Sequence, residues 1–256
     1  MADETQTPFD LSGRTVLVTG AGGGLGRGIT EALARAGATV VVNDIDPTRA
    51  AARVNEIIQS GGKAVSGVGD VTDPVSIDAL FTEVEATVGS IDTIVLNATS
   101  PQRSVSIDEE DWAYHQSMVD SFLKAPLLVT QRALANMKAA GFGRIINITS
   151  EVFETSEPGS SAYVAAKGAQ IGWSRSAAKE LAEFGITVNT VAPGFIPVER
   201  HRDLPQQILD NYLETVPAGR WGTPAEIGWA CVYFASVEAG FVSGQTLIVN
   251  GGRTPH

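Results

Sequence analysis

Thr15-Val16-Leu17-Val18-Thr19-Gly20-Ala21-Gly22-Gly23-Gly24-Leu25-Gly26 is the stretch whose reading decides the fold. Its first five residues are apolar or β-branched with no polar alternation, as expected for a short strand covered on both faces. Four of the last five are glycine, and the pattern beyond them, to about residue 36, has helical period. A strand that turns this tightly into a helix aims backbone N–H groups and the positive end of the helix dipole at one point. Side chains there would block an approaching anion, so the glycines belong to the same design.

The grammar repeats outward from this turn. Apolar β-branched runs occur at 15–19, 39–43, 64–68, 91–96, 144–149, 187–191 and 246–249. Helical patterns occupy 24–36, 47–60, 74–88, 108–139, 162–183 and 224–236, with Asp73-Pro74 and Thr223-Pro224 as helix starts. Alternation of this kind predicts an α/β protein, a Rossmann-like doubly wound domain with a seven-stranded parallel sheet flanked by helices. No repeat or linker-like tract divides 1–256, which is read as one dinucleotide-binding and catalytic domain. The segment 193–224 lacks a strong pattern except for a helix near 205–215, and it follows the sixth strand at the edge where open α/β sheets place ligands. It is read as the substrate loop.

A hydrophobic content of 43% describes a packed globule, and a formal charge of −11 opposes binding to nucleic acid or anionic membranes. The cluster Arg200-His201-Arg202 is too small to reverse that. The single cysteine, Cys231, lies among apolar residues and suits core packing. Residues 1–10 are acidic and polar without a basic or apolar leader pattern, and no stretch has the length to span a bilayer, so a cytoplasmic location is expected. The three histidines show no metal-ligand spacing, and Ser150 has no His/Asp framework, so no metal site or hydrolase is expected.

Asp44 ends the second run about 20 residues beyond the glycine turn, where an acid accepts from the adenosine ribose 2′-hydroxyl and repels a 2′-phosphate. No Arg or Lys lies inside the turn to compensate, so NAD(H) is expected over NADP(H). Asp46 is the weaker candidate, with a helix N-cap as its plainer role. Tyr163 and Lys167 are four apart and share a helix face, where a cation favours the phenolate of a tyrosine that is otherwise a poor base.

Taken together these residues resemble the short-chain dehydrogenase/reductase family over nearly the whole chain. The matches are Gly20, Gly24 and Gly26; Gly69-Asp70-Val71; Tyr163-x-x-x-Lys167; Asn189 with Ala192-Pro193-Gly194; Gly244-Gln245; and Asn250-Gly251-Gly252. The resemblance implies Ser150, thirteen residues before Tyr163, as the third catalytic residue holding the reacting oxygen. It implies cofactor contacts from Gly20, Gly24, Leu25, Gly26, Asp44, Asp70, Val71, Asn97, Ala98, Tyr163, Lys167, Pro193, Gly194 and the backbone of Ile196. Lys167 would also reach the nicotinamide ribose. Tyr163 would give a proton to a carbonyl oxygen in reduction and take one from an alcohol in oxidation. A homotetramer is implied as well.

The chain departs from the family at three points. Leu96-Asn97-Ala98-Thr99 stands where the family has Asn-Asn-Ala-Gly. No Asn occurs at 112–128, where the family often holds a water for its proton relay. Asp120, Ser121 or Phe122 stands there instead, the spacing from Trp112 implies a small insertion, and Asp120 is a candidate substitute. Val198 replaces a Thr after Pro-Gly-x-Ile-x.

Substrate contacts are expected from 99–107, 151–161 and 198–215, where Arg103, Arg200, His201 and Arg202 oppose Glu151, Glu154 and Glu157 in charge. The substrate is expected to be a small-molecule alcohol or ketone, such as a sugar, polyol or hydroxy compound. The alternatives are a 3-oxoacyl thioester reductase and a non-catalytic NAD-binding regulatory subunit.

Overall fold

The computed structural model describes residues 7–255; the first six residues of the acidic stretch 1–10, and the last residue of the unit 1–256, lie outside them. Seven strands run in the order β3-β2-β1-β4-β5-β6-β7, every pair parallel: β1 Thr15–Val18, β2 Thr39–Asp44, β3 Lys63–Val68, β4 Thr93–Leu96, β5 Gly143–Ile148, β6 Ile186–Pro193 and β7 Thr246–Val249. The order reverses between β1 and β4, which opens a crevice at the carboxyl edge.

The unbroken apolar runs fill two cores. Val16, Val18, Val40 and Val42 point to one face, covered by α1 (Gly24–Arg35), α2 (Pro47–Gln59) and α9 (Pro224–Ala235), the last carrying buried Cys231. Leu17, Val41, Ile94 and Ile145 point to the other, beneath α3 (Pro74–Val88), α5 (Ala125–Ala140) and α7 (Ser161–Leu181). The expected helix starts are capped: Asp73 accepts from Val75 and Ser76, and Thr223 forms a capping box with Glu226.

The long helix differs from the expected 108–139. It begins at Trp112, where the Asp111 carboxylate caps the Tyr114 amide at 2.7 Å. Between α4 (Trp112–Val119) and α5 a π turn, Asp120–Lys124, bonds the Ala125 amide to the Asp120 carbonyl. Pro126 has no N–H to close the next α-helical rung, and the ladder widens by one residue just before it. A π turn takes up one extra residue per turn, and it lies in the stretch where the spacing from Trp112 implies a small insertion. After β6, the segment 194–223 carries a short 3-10 turn, Glu199–His201, and the helix α8 (Gln206–Glu214). A four-residue helix, α6 (Val152–Thr155), follows β5.

Candidate active site

The glycine turn is held from below by β4. Thr19 Oγ1 accepts from the amides of Asn97 and Ala98, each at 2.9 Å, and Asn97 Nδ2 donates to the carbonyls of Thr19 at 2.9 Å and Gly20 at 3.1 Å. Asn97 and Ala98 thus brace the turn, and the Asn97 amide is spent on it. Gly20 has φ +60°, and a Cβ there would lie 2.8 Å from the Ala98 Cα, so no other residue fits. Leu25 is partly buried against the core under α1. The Gly24 amide, at the start of α1, donates to Glu199 Oε2 at 3.1 Å. That carboxylate, from the 3-10 turn, shows the cradle accepting an anion, as a dinucleotide pyrophosphate requires.

Asp44 is buried at the end of β2, its Oδ2 accepting from Gly22 N at 3.1 Å and its Oδ1 from Asp46 N at 3.0 Å. Asp46 caps α2 through the amides of Thr48 and Arg49. Asp70 accepts from the amide and hydroxyl of Thr72, and Val71 is buried against the second core. Two residues here escaped the sequence reading. Asn43 Nδ2 donates to the carbonyls of Gly67 and Gly69, tying the ends of β2 and β3 together. Arg49, from the first turn of α2, lies 3.8 Å from Asp44 and arches over Gly22 and Gly23. A search confined to the glycine turn misses it.

Ser150 lies just beyond β5, its Oγ accepting from the Val152 amide at 3.2 Å, and Tyr163 stands in the first turn of α7. Burial holds the Tyr163 phenol above its ordinary value, with the Ser150 hydroxyl and the Arg200 guanidinium pulling the other way. Lys167 follows one helical turn later but is 3% exposed and points inward. Its Nζ donates to the Ile148 carbonyl at 2.7 Å and to Gln170 Oε1 at 3.1 Å, and it sits 3.8 Å above the Phe122 ring. Burial pushes this amine well below its ordinary value, and the charge of Arg200 adds to the effect. In this conformation a carbonyl, an amide oxygen and an aromatic face hold the Lys167 ammonium.

The three candidates for the missing helix Asn separate cleanly. Asp120 pairs with Gln116 at 3.0 Å on an exposed face, and Ser121 meets Ser100. Phe122 is buried edge-on to Tyr163, with ring centroids 5.3 Å apart. The π turn is what rotates it there.

At the carboxyl end of β6, Pro193 O accepts from Glu151 N and Gly194 N donates to Val249 O. The Ile196 side chain is buried, and a Cβ on Gly222 would lie 2.5 Å from its Cδ1. Glu151, expected among the substrate contacts, is instead 5% exposed. Its oxygens accept from Tyr212 Oη at 2.6 Å, Asn250 Nδ2 at 2.7 Å and Arg253 at 2.9 Å. Glu157 also pairs with Arg253, and Arg103 pairs with Asp111. Arg253 could not be matched to Glu151 from sequence, since about a hundred residues separate them.

The sequence family described as enoyl-(acyl carrier protein) reductase matches residues 20–254. The 3-oxoacyl-acyl-carrier-protein reductase of Vibrio harveyi is 38% identical over 246 residues, covering 95% of this chain and 98% of that one. The chain belongs to the short-chain dehydrogenase/reductase family. It is an oxidoreductase of that family, and other members are similar over nearly their full length. Nodulation protein G of Azospirillum brasilense is 38% identical, with 94% of this chain and 98% of that one covered. The structure of a putative gluconate dehydrogenase from Agrobacterium tumefaciens superposes with a TM-score of 0.92 at 33% identity, covering 97% of this chain and 98% of that one. A gluconate 5-dehydrogenase from Burkholderia cenocepacia, in complex with NADP and tartrate, gives 0.89 at 37% identity with 96% of each chain covered. Among the described residues no helix is long and apolar enough to cross a membrane.

Proposed function

We propose that this short-chain dehydrogenase/reductase moves hydride between NAD(H) and the secondary alcohol or ketone carbon of a small hydroxy compound. The carrying observation is the convergence at the carboxyl edge of the sheet of Ser150, just beyond β5, with Tyr163 and Lys167 one turn apart on α7, Lys167 Nζ lying 5.8 Å from the Tyr163 ring centroid. The bound nicotinamide supplies the hydride acceptor in oxidation and the hydride donor in reduction. Ser150 holds the substrate oxygen, and Tyr163 takes its proton as the C–H bond breaks, or returns it in reduction. Lys167 supplies the cation that favours the phenolate. Gly20, Gly24, Gly26 and the backbone at Asn97 and Ala98 frame the dinucleotide site, with Asp44 at the adenosine ribose.

Buried Asp44 supports NAD(H), whereas Arg49 beside it favours a second reading in which a 2′-phosphate is accepted. Similarity to the gluconate dehydrogenases supports a sugar acid or polyol substrate, and similarity to the 3-oxoacyl reductases supports a thioester. The exposed apolar side chains of Trp112, Leu127, Phe241 and Leu247 support a homotetramer, which light scattering measures.

The test is a coupled absorbance screen of gluconate, polyols and hydroxy acids with NAD⁺ or NADP⁺, paired with 3-oxoacyl thioesters and NADH or NADPH. Turnover of a hydroxy compound that is abolished in a folded Tyr163→Phe variant is the expected result. Retained turnover in that variant overturns the mechanism. Turnover of thioesters alone reassigns the substrate, and cofactor binding without turnover of any class identifies a regulatory subunit.

A further inference from the structure

Phe122 leaves no polar group from the long helix beside Lys167, yet the ammonium is not abandoned in a dry pocket. Its second acceptor is Gln170, 1% exposed, three residues further along α7. The orientation of that amide follows from a chain of bonds with a fixed beginning. Ser174 Oγ donates to the Gln170 carbonyl at 2.7 Å, and a carbonyl can only accept. The Ser174 oxygen must then accept from Asn147, and Asn147 Nδ2 is 2.9 Å away. Asn147 Oδ1 is thereby turned to Gln170, whose Nε2 donates to it at 2.9 Å. Only Oε1 of Gln170 remains for Lys167. Asn147 and Ser174, 0% and 1% exposed, admit no water that would scramble this order.

We propose that Gln170 is a positioning residue for Lys167: the Ser174–Asn147–Gln170 chain locks an acceptor oxygen onto Nζ and keeps the cation one turn from Tyr163 without a water from the long helix. A leucine or methionine would pack in the same space but present no comparable oxygen. An amide free to turn would present Nε2, a donor facing a donor. The chain is the device that removes that freedom.

The assignment of Lys167 to catalysis rests on the proposed function, so the test reads Lys167 directly. The side-chain carbon resonances of the lysines, labelled with ¹³C at Cε, are titrated in the wild-type protein and in Gln170→Met and Gln170→Leu, with Lys167→Arg identifying the signal. Tyr163, Tyr114 and Arg200 are the titratable or charged groups acting on this pair from α7, α4 and the 3-10 turn, and all three are retained in the variants. Loss of an acceptor to a buried cation lowers its midpoint by about one pH unit. The expected result is such a drop for Lys167 in either folded variant, with the other lysines unmoved and, where turnover is measurable, the alkaline rise of alcohol oxidation displaced to higher pH. A change in melting temperature with the Lys167 midpoint unmoved overturns the proposal, because it assigns Gln170 to packing alone. Failure of both variants to fold does the same. None of these readings depends on Tyr163→Phe, so the mechanism and this proposal fail separately.

Discussion

The carboxylate of Glu199 accepts the Gly24 amide at 3.1 Å, so a residue of the loop after β6 sits at the N-terminus of α1. Its acid group is held below the usual range by its own amide and that of Gly24, with Arg27 and Arg49 adding to the pull. A dinucleotide phosphate meeting the same amide has to displace it. Glu199→Gln keeps the size and removes the charge, and the helix-terminus interaction it gives up is worth about two- to five-fold in binding. NADH titrated by fluorescence is expected to bind the variant more tightly by that factor. Weaker binding would show that Glu199 supports the bound cofactor and does not compete with it.

Asp44 and Arg49 form a pair with unequal exposure, the carboxylate 7% and the guanidinium 56% exposed at the side chain. Removing the buried partner frees the exposed one. Asp44→Ala is expected to lower kcat/KM with NAD⁺ by about 10- to 100-fold, the worth of a hydrogen bond to a charged acceptor. Efficiency with NADP⁺ rises in the same variant, and Arg49→Ala in that background abolishes the gain. A parallel loss with both cofactors would mean that Asp44 serves only to brace Gly22.

Much of this arrangement was legible because it is local. The run 15–18 and the glycines after it specify strand, turn and helix within a dozen residues, and Asp73-Pro74 and Thr223-Pro224 carry their own caps. The alternation of Val16, Leu17 and Val18 between two cores required only that both faces be apolar. The π turn announced itself only as a spacing error, and nothing in 112–128 says that Phe122, not Asp120, is the side chain it swings inward. Gln170 and Arg49 were hidden for another reason. Each acts through its distance from one atom, which side-chain type and spacing do not encode. The same holds for Glu151, whose position after the fifth strand placed it among substrate contacts while its partners lie on α8 and beyond β7.

Glu151 ties α8 to the carboxyl ends of β5 and β7 through side chains. Tyr212 from α8 and Asn250 and Arg253 from after β7 converge on its two oxygens, and Arg253 also stacks over the Tyr212 ring at 4.7 Å. Burial, followed by the hydrogen bond to the Glu151 carboxylate, pushes the Tyr212 phenol up, so it stays a donor at any working pH. With side-chain exposures of 6% and 16%, the Glu151–Arg253 pair is little screened. Cutting one partner strands the other, and Glu151→Ala is expected to destabilise the fold by about 3 kcal/mol or more. Thermal or urea denaturation measures this, and Glu151→Gln, which keeps an acceptor, should cost less. With 193–224 as the substrate loop, KM for the substrate should rise more than Kd for NADH. A loss below about 1 kcal/mol, the ordinary worth of a solvated pair, would show that the network is open to water and does not clamp the loop.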